Sequence, residues 1–117
     1  SGTEFNYIFA NNDMMAQGCY NALKDAGKEN IPIVSTGGSP DGFKMLQDGI
    51  EAANMTAPVS IQGVKTFMNL YNKVALGEDP AEKFTALPVI PVSADDTSSY
   101  IAWDDYAAAY KYLGENK

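Results

Sequence analysis

An α/β fold, a parallel sheet with flanking helices, is what this chain of 117 residues predicts, and three observations predict it. Short aromatic and β-branched runs recur along the chain, each run stops at a small polar or glycine-rich loop, and each loop opens an amphipathic segment. Repeated strand, turn and helix, with connections long enough for parallel crossovers, gives right-handed β-α units. The 45% hydrophobic content is enough for one packed core in a chain of about one domain's length.

The first unit opens on Phe5-Asn6-Tyr7-Ile8-Phe9-Ala10, an apolar run that stops at Asn11-Asn12-Asp13. Asn12 or Asp13 can cap the following helix by accepting a first-turn backbone N–H. Polar side chains there also stand at the carboxyl edge of a sheet, where α/β proteins place ligands. The residues by themselves leave both readings open, caps alone or caps that also meet a ligand. From Asp13 onward, Met15, Cys19, Leu23 and Ala26 recur at steps of three and four and mark an apolar helix face that ends at Gly27.

The second strand, Ile31-Pro32-Ile33-Val34-Ser35-Thr36, leads into Gly37-Gly38-Ser39-Pro40-Asp41-Gly42, with Ser39 as N-cap and Pro40 at the first helical position. Gly37 and Gly38 let a backbone approach a ligand closely, and free N–H groups at a helix start suit an oxyanion. Neither the ending of a P-loop nor the three-glycine dinucleotide fingerprint is present, however. A short helix through Phe43 and Leu46 closes at Gly49, and Ile50-Glu51-Ala52-Ala53-Asn54-Met55-Thr56 is a third strand that ends in the loop Ala57-Pro58.

In the longest amphipathic segment, Ile61, Val64, Phe67, Met68, Tyr71 and Val74 mark one stripe, read as core, that ends near Gly77. Glu78-Asp79-Pro80-Ala81-Glu82-Lys83 is an acidic, exposed loop. Residues 84–92 carry Pro88 and Pro91 in a strand-like run, so they form an edge strand or a segment that crosses out of the domain. Asp95-Asp96-Thr97-Ser98-Ser99 then makes a cap-rich start to a helix-like pattern through Tyr100, Ile101, Trp103, Tyr106, Ala107 and Tyr110, up to Gly114.

Fifteen acids against eight bases leave a net charge of -7 with no basic patch, which argues against nucleic acid and anionic membrane surfaces as partners. The eight bases are all lysines, so the bidentate clamp for phosphate or carboxylate is missing and neutral, hydroxyl-rich ligands gain ground. With no histidine, hydrolase triads and zinc sites lose their commonest member. No metal and no cofactor is expected. Cys19 forms no internal disulfide and reads as a small core residue, and a lone cysteine does not decide the compartment. No window is as apolar as a membrane span. Ser1-Gly2-Thr3 runs almost directly into a strand, so the natural amino terminus is expected elsewhere.

Three β-α units and a proline-bearing crossing strand describe half of a two-lobed binding protein. Ile8-Phe9-Ala10-Asn11-Asn12-Asp13-Met14-Met15-Ala16-Gln17-Gly18, Ile31-Pro32-Ile33-Val34, Ser39-Pro40-Asp41-Gly42 and Gln47-Asp48-Gly49 resemble the carboxyl-terminal lobe of the type I periplasmic sugar-binding proteins, the ribose- and galactose-binding group. The resemblance covers residues 5–96. It implies a Rossmann-like or flavodoxin-like single lobe over residues 1–94, an aromatic-rich helical tail over 95–117, and a missing amino-terminal lobe that closes over a small-molecule ligand by a hinge motion. It further implies no catalysis, an extracytoplasmic site at the periplasm or cell surface, a lipid anchor on the missing amino terminus as one arrangement, and delivery of a sugar or sugar derivative to an ABC permease. Self-association through the uncovered face of such a fragment is also open.

Carried over residue by residue, the resemblance matches Asn12 to the family's sugar-binding asparagine, whose amide donates to one hydroxyl and accepts from another. The family's aspartate after the second strand, preceded in some members by an aromatic, falls on Gly37 and Thr36 here, and its amide after the third strand falls on Ala57. Losing the carboxylate removes a charge-assisted acceptor worth roughly 1.5–3 kcal/mol. Gly37 and Gly38 would widen the cleft wall for a bulkier sugar, a sugar derivative or another polar molecule. The expected ligand-binding set is Asn12, Asp13, Thr36, Gly37, Gly38 and Ala57. Two other readings keep the fold: the effector-sensing lobe of a lactose-repressor-type transcription regulator, and a flavodoxin-like enzyme using Asp13, Asp41 or Cys19.

Overall fold

The computed structural model describes residues 4–80 and 82–115. Residues 1–3, Ala81 of the acidic loop and residues 116–117 of the tail, with the readings placed on them, lie outside the described residues. The backbone forms two compact units, one from the chain up to Ala57 together with Val89–Tyr100, the other from Pro58–Pro88 together with the chain from Ile101 onward.

In the first unit, β1 (Ile8–Phe9), β2 (Ile33–Gly37), β3 (Glu51–Thr56) and β4 (Ile90–Ser93) form one sheet in that order. The first three strands form the parallel sheet expected, and β4 adds to it an edge strand antiparallel to β3. Pro91 is tolerated because β4 lies at the edge, with a pairing partner on one side only among the described residues.

Helices α1 (Asp13–Asp25) and α2 (Pro40–Gln47) connect the parallel strands. The Oδ1 of Asn12 caps α1 by accepting from the Met15 N–H at 2.8 Å, and the Oγ of Ser39 caps α2 by accepting from the Gly42 N–H at 3.1 Å. Both helices end as expected, with the Lys28 N–H donating to the Leu23 carbonyl past Gly27 and the Ile50 N–H donating to the Met45 carbonyl past Gly49.

The buried face of α1 differs from the expected one. Asp13, Ala16 and Leu23 are buried, Cys19 and Tyr20 pack beside them, and Met15 is 54% exposed. The reason is Asp13, which turns inward and brings the position three residues on, Ala16, to the inner face. The core thus gathers Ala10, Ala16, Leu23, Ile33 and Met45.

Strand β3 does not alternate evenly. Ile33 stands opposite Glu51 but Val34 stands opposite Ala53, a bulge that adds one residue to β3. Glu51, Asn54 and Thr56 are all buried as a result, although an odd spacing of three separates the first two.

In the second unit, α3 (Val59–Tyr71) runs into a π-helical turn (Asn72–Leu76) that closes at Gly77, and α4 is Tyr106–Glu115. Ser60, Ile61 and Ala109 are buried, the Ser60 hydroxyl donates to the Ala102 carbonyl at 3.1 Å, and Asp105 caps α4 by accepting from the Ala108 N–H at 2.8 Å. Two expectations are corrected here. Of the stripe read as core, Ile61 is buried and Val64 and Met68 are half-buried, while Phe67 is 67% and Val74 76% exposed, so the packing within this unit covers only part of the stripe. The tail helix begins at Tyr106 and not at the 95–99 cluster, where Asp96 instead accepts from the Ser98 N–H in a turn.

Candidate functional site

The loops that follow β1, β2 and β3 converge at one end of the sheet. The Thr36 hydroxyl donates to the Asn11 carbonyl at 3.3 Å, and the Ala57 N–H donates to the Gly37 carbonyl at 3.0 Å. Asn12, Thr36, Gly37, Gly38 and Ala57, expected at a ligand site from sequence, are therefore brought to one rim at the carboxyl edge of the parallel strands. Asn12 is exposed, its Oδ1 is committed to the cap of α1, and its amide NH2 has no partner among the described residues. Thr36, Gly37 and Ala57 are half-buried and Gly38 is buried.

The two glycines of the rim answer to the fold first. Gly37 has φ 135° and Gly38 φ 74°, a region L side chains rarely adopt. A Cβ on Gly38 would come within 2.6 Å of the Thr56 Cβ, and one on Gly37 within 2.8 Å of an Asp13 carboxylate oxygen. The loop can pass this close to β3 and α1 because it has no side chains there.

Asp13, the sixth expected residue, does not face outward. It is 6% exposed, and both carboxylate oxygens are engaged inside the protein. Oδ2 accepts from the Ser39 N–H at 2.7 Å, which ties the start of α1 to the loop after β2. Oδ1 lies 3.1 Å from the Ser35 hydroxyl and accepts from the Asn54 amide at 2.7 Å. Ser35 and Asn54 also meet Glu51, at 2.8 Å and 3.0 Å, so two carboxyl groups share the same two polar neighbours. Ser35, Glu51 and Asn54 are fully buried. Burial pushes the Glu51 carboxyl above its ordinary value; hydrogen bonds from Asn54 and Ser35 pull it back, and the charge of Asp13 adds a further push upward. Ser35 has two carboxyl groups within hydrogen-bond distance, yet lies beyond the reach of a substrate.

Sequence reading missed this network. A period-two strand puts Glu51 and Asn54 on opposite faces, and the bulge in β3 that unites them has no glycine or proline to announce it. Tyr100 was missed as well, since it was read as part of the helix-like pattern of the aromatic tail. Its ring stacks on Phe43 of α2 at 3.8 Å between centroids, and its hydroxyl donates to the Gly38 carbonyl at 3.1 Å, so it buttresses the rim from behind the glycine loop. Among the described residues, no group of three or more His, Cys, Asp or Glu is placed to hold a metal ion. No described helix is long and apolar enough to cross a membrane.

A mostly parallel α/β sheet with flanking helices, its strand-end loops meeting at a polar rim, has the layout of a Rossmann-like or flavodoxin-like lobe, and over 80 residues the chain is a partial homologue of a type I periplasmic binding protein. That relative is the ribose import binding protein RbsB of Escherichia coli (strain K12), 38% identical over a stretch that is 66% of this chain and 26% of the relative. The ribose import binding protein RbsB of Salmonella typhimurium (strain LT2) is also 38% identical, over 77 residues and the same shares. The chain spans about a quarter of the length of the curated relatives it matches. No protein-family model matches it. A crystal structure from Mycobacterium smegmatis superposes with a TM-score of 0.61 at 22% identity, covering 98% of this chain and 37% of that one, a likeness of fold.

Proposed function

We propose that the chain is the carboxyl-terminal ligand-binding lobe of an extracytoplasmic solute-binding protein for a sugar or sugar-like molecule, which a second lobe closes upon and an ABC importer receives. The observation that carries this reading is the rim itself: an exposed asparagine amide with a donor to spare, beside backbone from two other strand ends, in a chain partly homologous to a ribose import binding protein. Asn12, Thr36, Gly37, Gly38 and Ala57 supply the contacts on this side of the cleft. They offer hydrogen bonds to hydroxyl groups and no charge, and a wrong ligand would leave some of these groups unpaired. Asp13 supports the rim from inside. The protein works by binding and closing, without catalysis, and outside the cytoplasm.

Asn12 serves both helix and ligand in this reading, and two substitutions separate the roles. In the two-lobed protein, Asn12→Ser keeps a capping oxygen and removes the amide donor, so stability is expected to hold while affinity for D-ribose or the best-bound sugar of a panel drops at least several-fold by calorimetry. Asn12→Ala is expected to lose the same affinity and about 1 kcal/mol of stability as well. Unchanged affinity in Asn12→Ser removes the residue from the site. A panel of sugars that shows no binding at all removes the ligand class.

A further inference from the structure

We infer that Asp13 is a positioning residue whose carboxylate pins the Gly37–Gly38 loop to the start of α1, and that this grip depends on Glu51, buried beside it, keeping a proton. The first argument is a count of hydrogens. Ser35 Oγ and Asn54 Nδ2 make five short contacts among themselves, Asp13 and Glu51, all between 2.7 and 3.1 Å. The hydroxyl and the amide supply three hydrogens. With both carboxyls ionised, Ser35 would face two carboxylate oxygens with one hydrogen between them.

A proton on Glu51 brings the hydrogens to four and removes the conflict at Ser35, and the contact of Asn54 with Ser35 at 2.8 Å then shares an amide hydrogen. Glu51 then donates to the Ser35 oxygen at 2.8 Å, Ser35 donates onward to Asp13 at 3.1 Å, and the two amide hydrogens of Asn54 serve Asp13 and Glu51. The negative charge stays on Asp13, which belongs to the first turn of α1 and receives the N–H of Ser39, the cap of α2; both helix starts favour an anion there. Gly37 and Gly42 leave room for that carboxylate, since a Cβ on either would overlap it.

Among the described residues, the surroundings offer Glu51 no counter-charge. Strands β2 and β4, which flank β3, carry no titratable side chain. Helix α2 carries Asp41 and Lys44, both exposed, and Lys44 pairs with Asp48 at 2.7 Å. From α1 the charge that reaches Glu51 is that of Asp13. Ionising Glu51 would therefore place a second negative charge against the first inside the protein, and the network would open by releasing Glu51 or by turning Asp13 away from Ser39. The ligand rim would loosen with it. As regulation of the rim, this rests on the ligand-binding reading; as a property of the network, it does not.

The test is an NMR titration of this chain, following the Glu51 carboxyl carbon and the Ser39 amide proton, with the Gly27 amide as an internal reference and Glu51→Gln as the comparison. Expected is a Glu51 midpoint above the ordinary carboxylate range, with the downfield Ser39 amide signal lost in step. In Glu51→Gln, which mimics the protonated acid, the Ser39 signal is expected to stay downfield at every pH. The stability of the parent should decline as pH rises from 4.5 through that midpoint, because the folded state holds the proton more tightly than the unfolded one, and Glu51→Gln should lack this decline. Titration of Glu51 in the ordinary range, or a Ser39 signal indifferent to it, overturns the inference on the parent chain alone. D-ribose binding in the two-lobed protein separates the two readings: affinity falling along the Glu51 titration supports both, whereas absence of binding at any pH with the Ser39 response intact sinks the sugar reading and leaves this one standing.

Discussion

Asp13→Ala is expected to destabilise the protein by about 3 kcal/mol and lower its thermal midpoint by roughly 10 °C. Three groups converge on the carboxylate: the Ser39 N–H, the Asn54 amide and the Ser35 hydroxyl. Ser35 and Asn54 retain Glu51 as a partner after the substitution, so they lose the less. Ser39 N–H loses its acceptor at a half-buried position, which costs about 1–3 kcal/mol, and the starts of two helices lose an anion worth about 0.3–1 kcal/mol each. Asp13→Asn preserves the volume and one acceptor, and is expected to lose about half as much. Denaturant unfolding of the three proteins decides the matter, and a change within 0.5 kcal/mol for Asp13→Ala would show that the carboxylate holds nothing together.

How far the chain announces its own structure depends on which rule each residue obeys. The strands and the two helix caps at Asn12 and Ser39 were legible because side-chain oxygens, a proline and chain-reversing glycines act locally, within four residues. The rim was legible for the same reason, since Asn12, Thr36, Gly37, Gly38 and Ala57 are where local runs end. Asp13 was placed on the wrong side of that rim. Cap residues usually stay at the surface, and the partners that draw this one inward lie 22, 26 and 41 residues away. The stripe on α3 failed in the opposite way. Periodicity shows that a helix has an apolar face but not what is there to cover it, and Phe67, Tyr71 and Val74 remain exposed within their own unit. Tyr100 illustrates the third kind of miss, a residue whose partner, Gly38, is 62 positions back and offers only a carbonyl.

The same substitution should have opposite signs at two helical glycines. Gly18, inside α1, has nothing within 4 Å of where a Cβ would stand, so Gly18→Ala is expected to stabilise the protein by about 1 kcal/mol through the reduced entropy of the unfolded chain and better helix propensity. Gly42, inside α2, has the same propensity argument in its favour and a stronger one against it. Its Cβ would overlap the carboxyl carbon of Asp13, with both oxygens at 2.6 Å. A free aspartate would swing aside, but this one is held by Ser39 on one oxygen and by Ser35 and Asn54 on the other. Either α2 shifts away from α1 or the network breaks, and overpacking of this kind costs about 1–3 kcal/mol before any hydrogen bond is lost. Gly42→Ala is therefore expected to destabilise by about 2 kcal/mol net of propensity. It should also displace the Ser39 amide resonance, which Gly18→Ala should leave in place. If Gly42→Ala stabilises as Gly18→Ala does, the carboxylate of Asp13 is not confined between the two helices, and its control over the glycine loop is lost with that confinement.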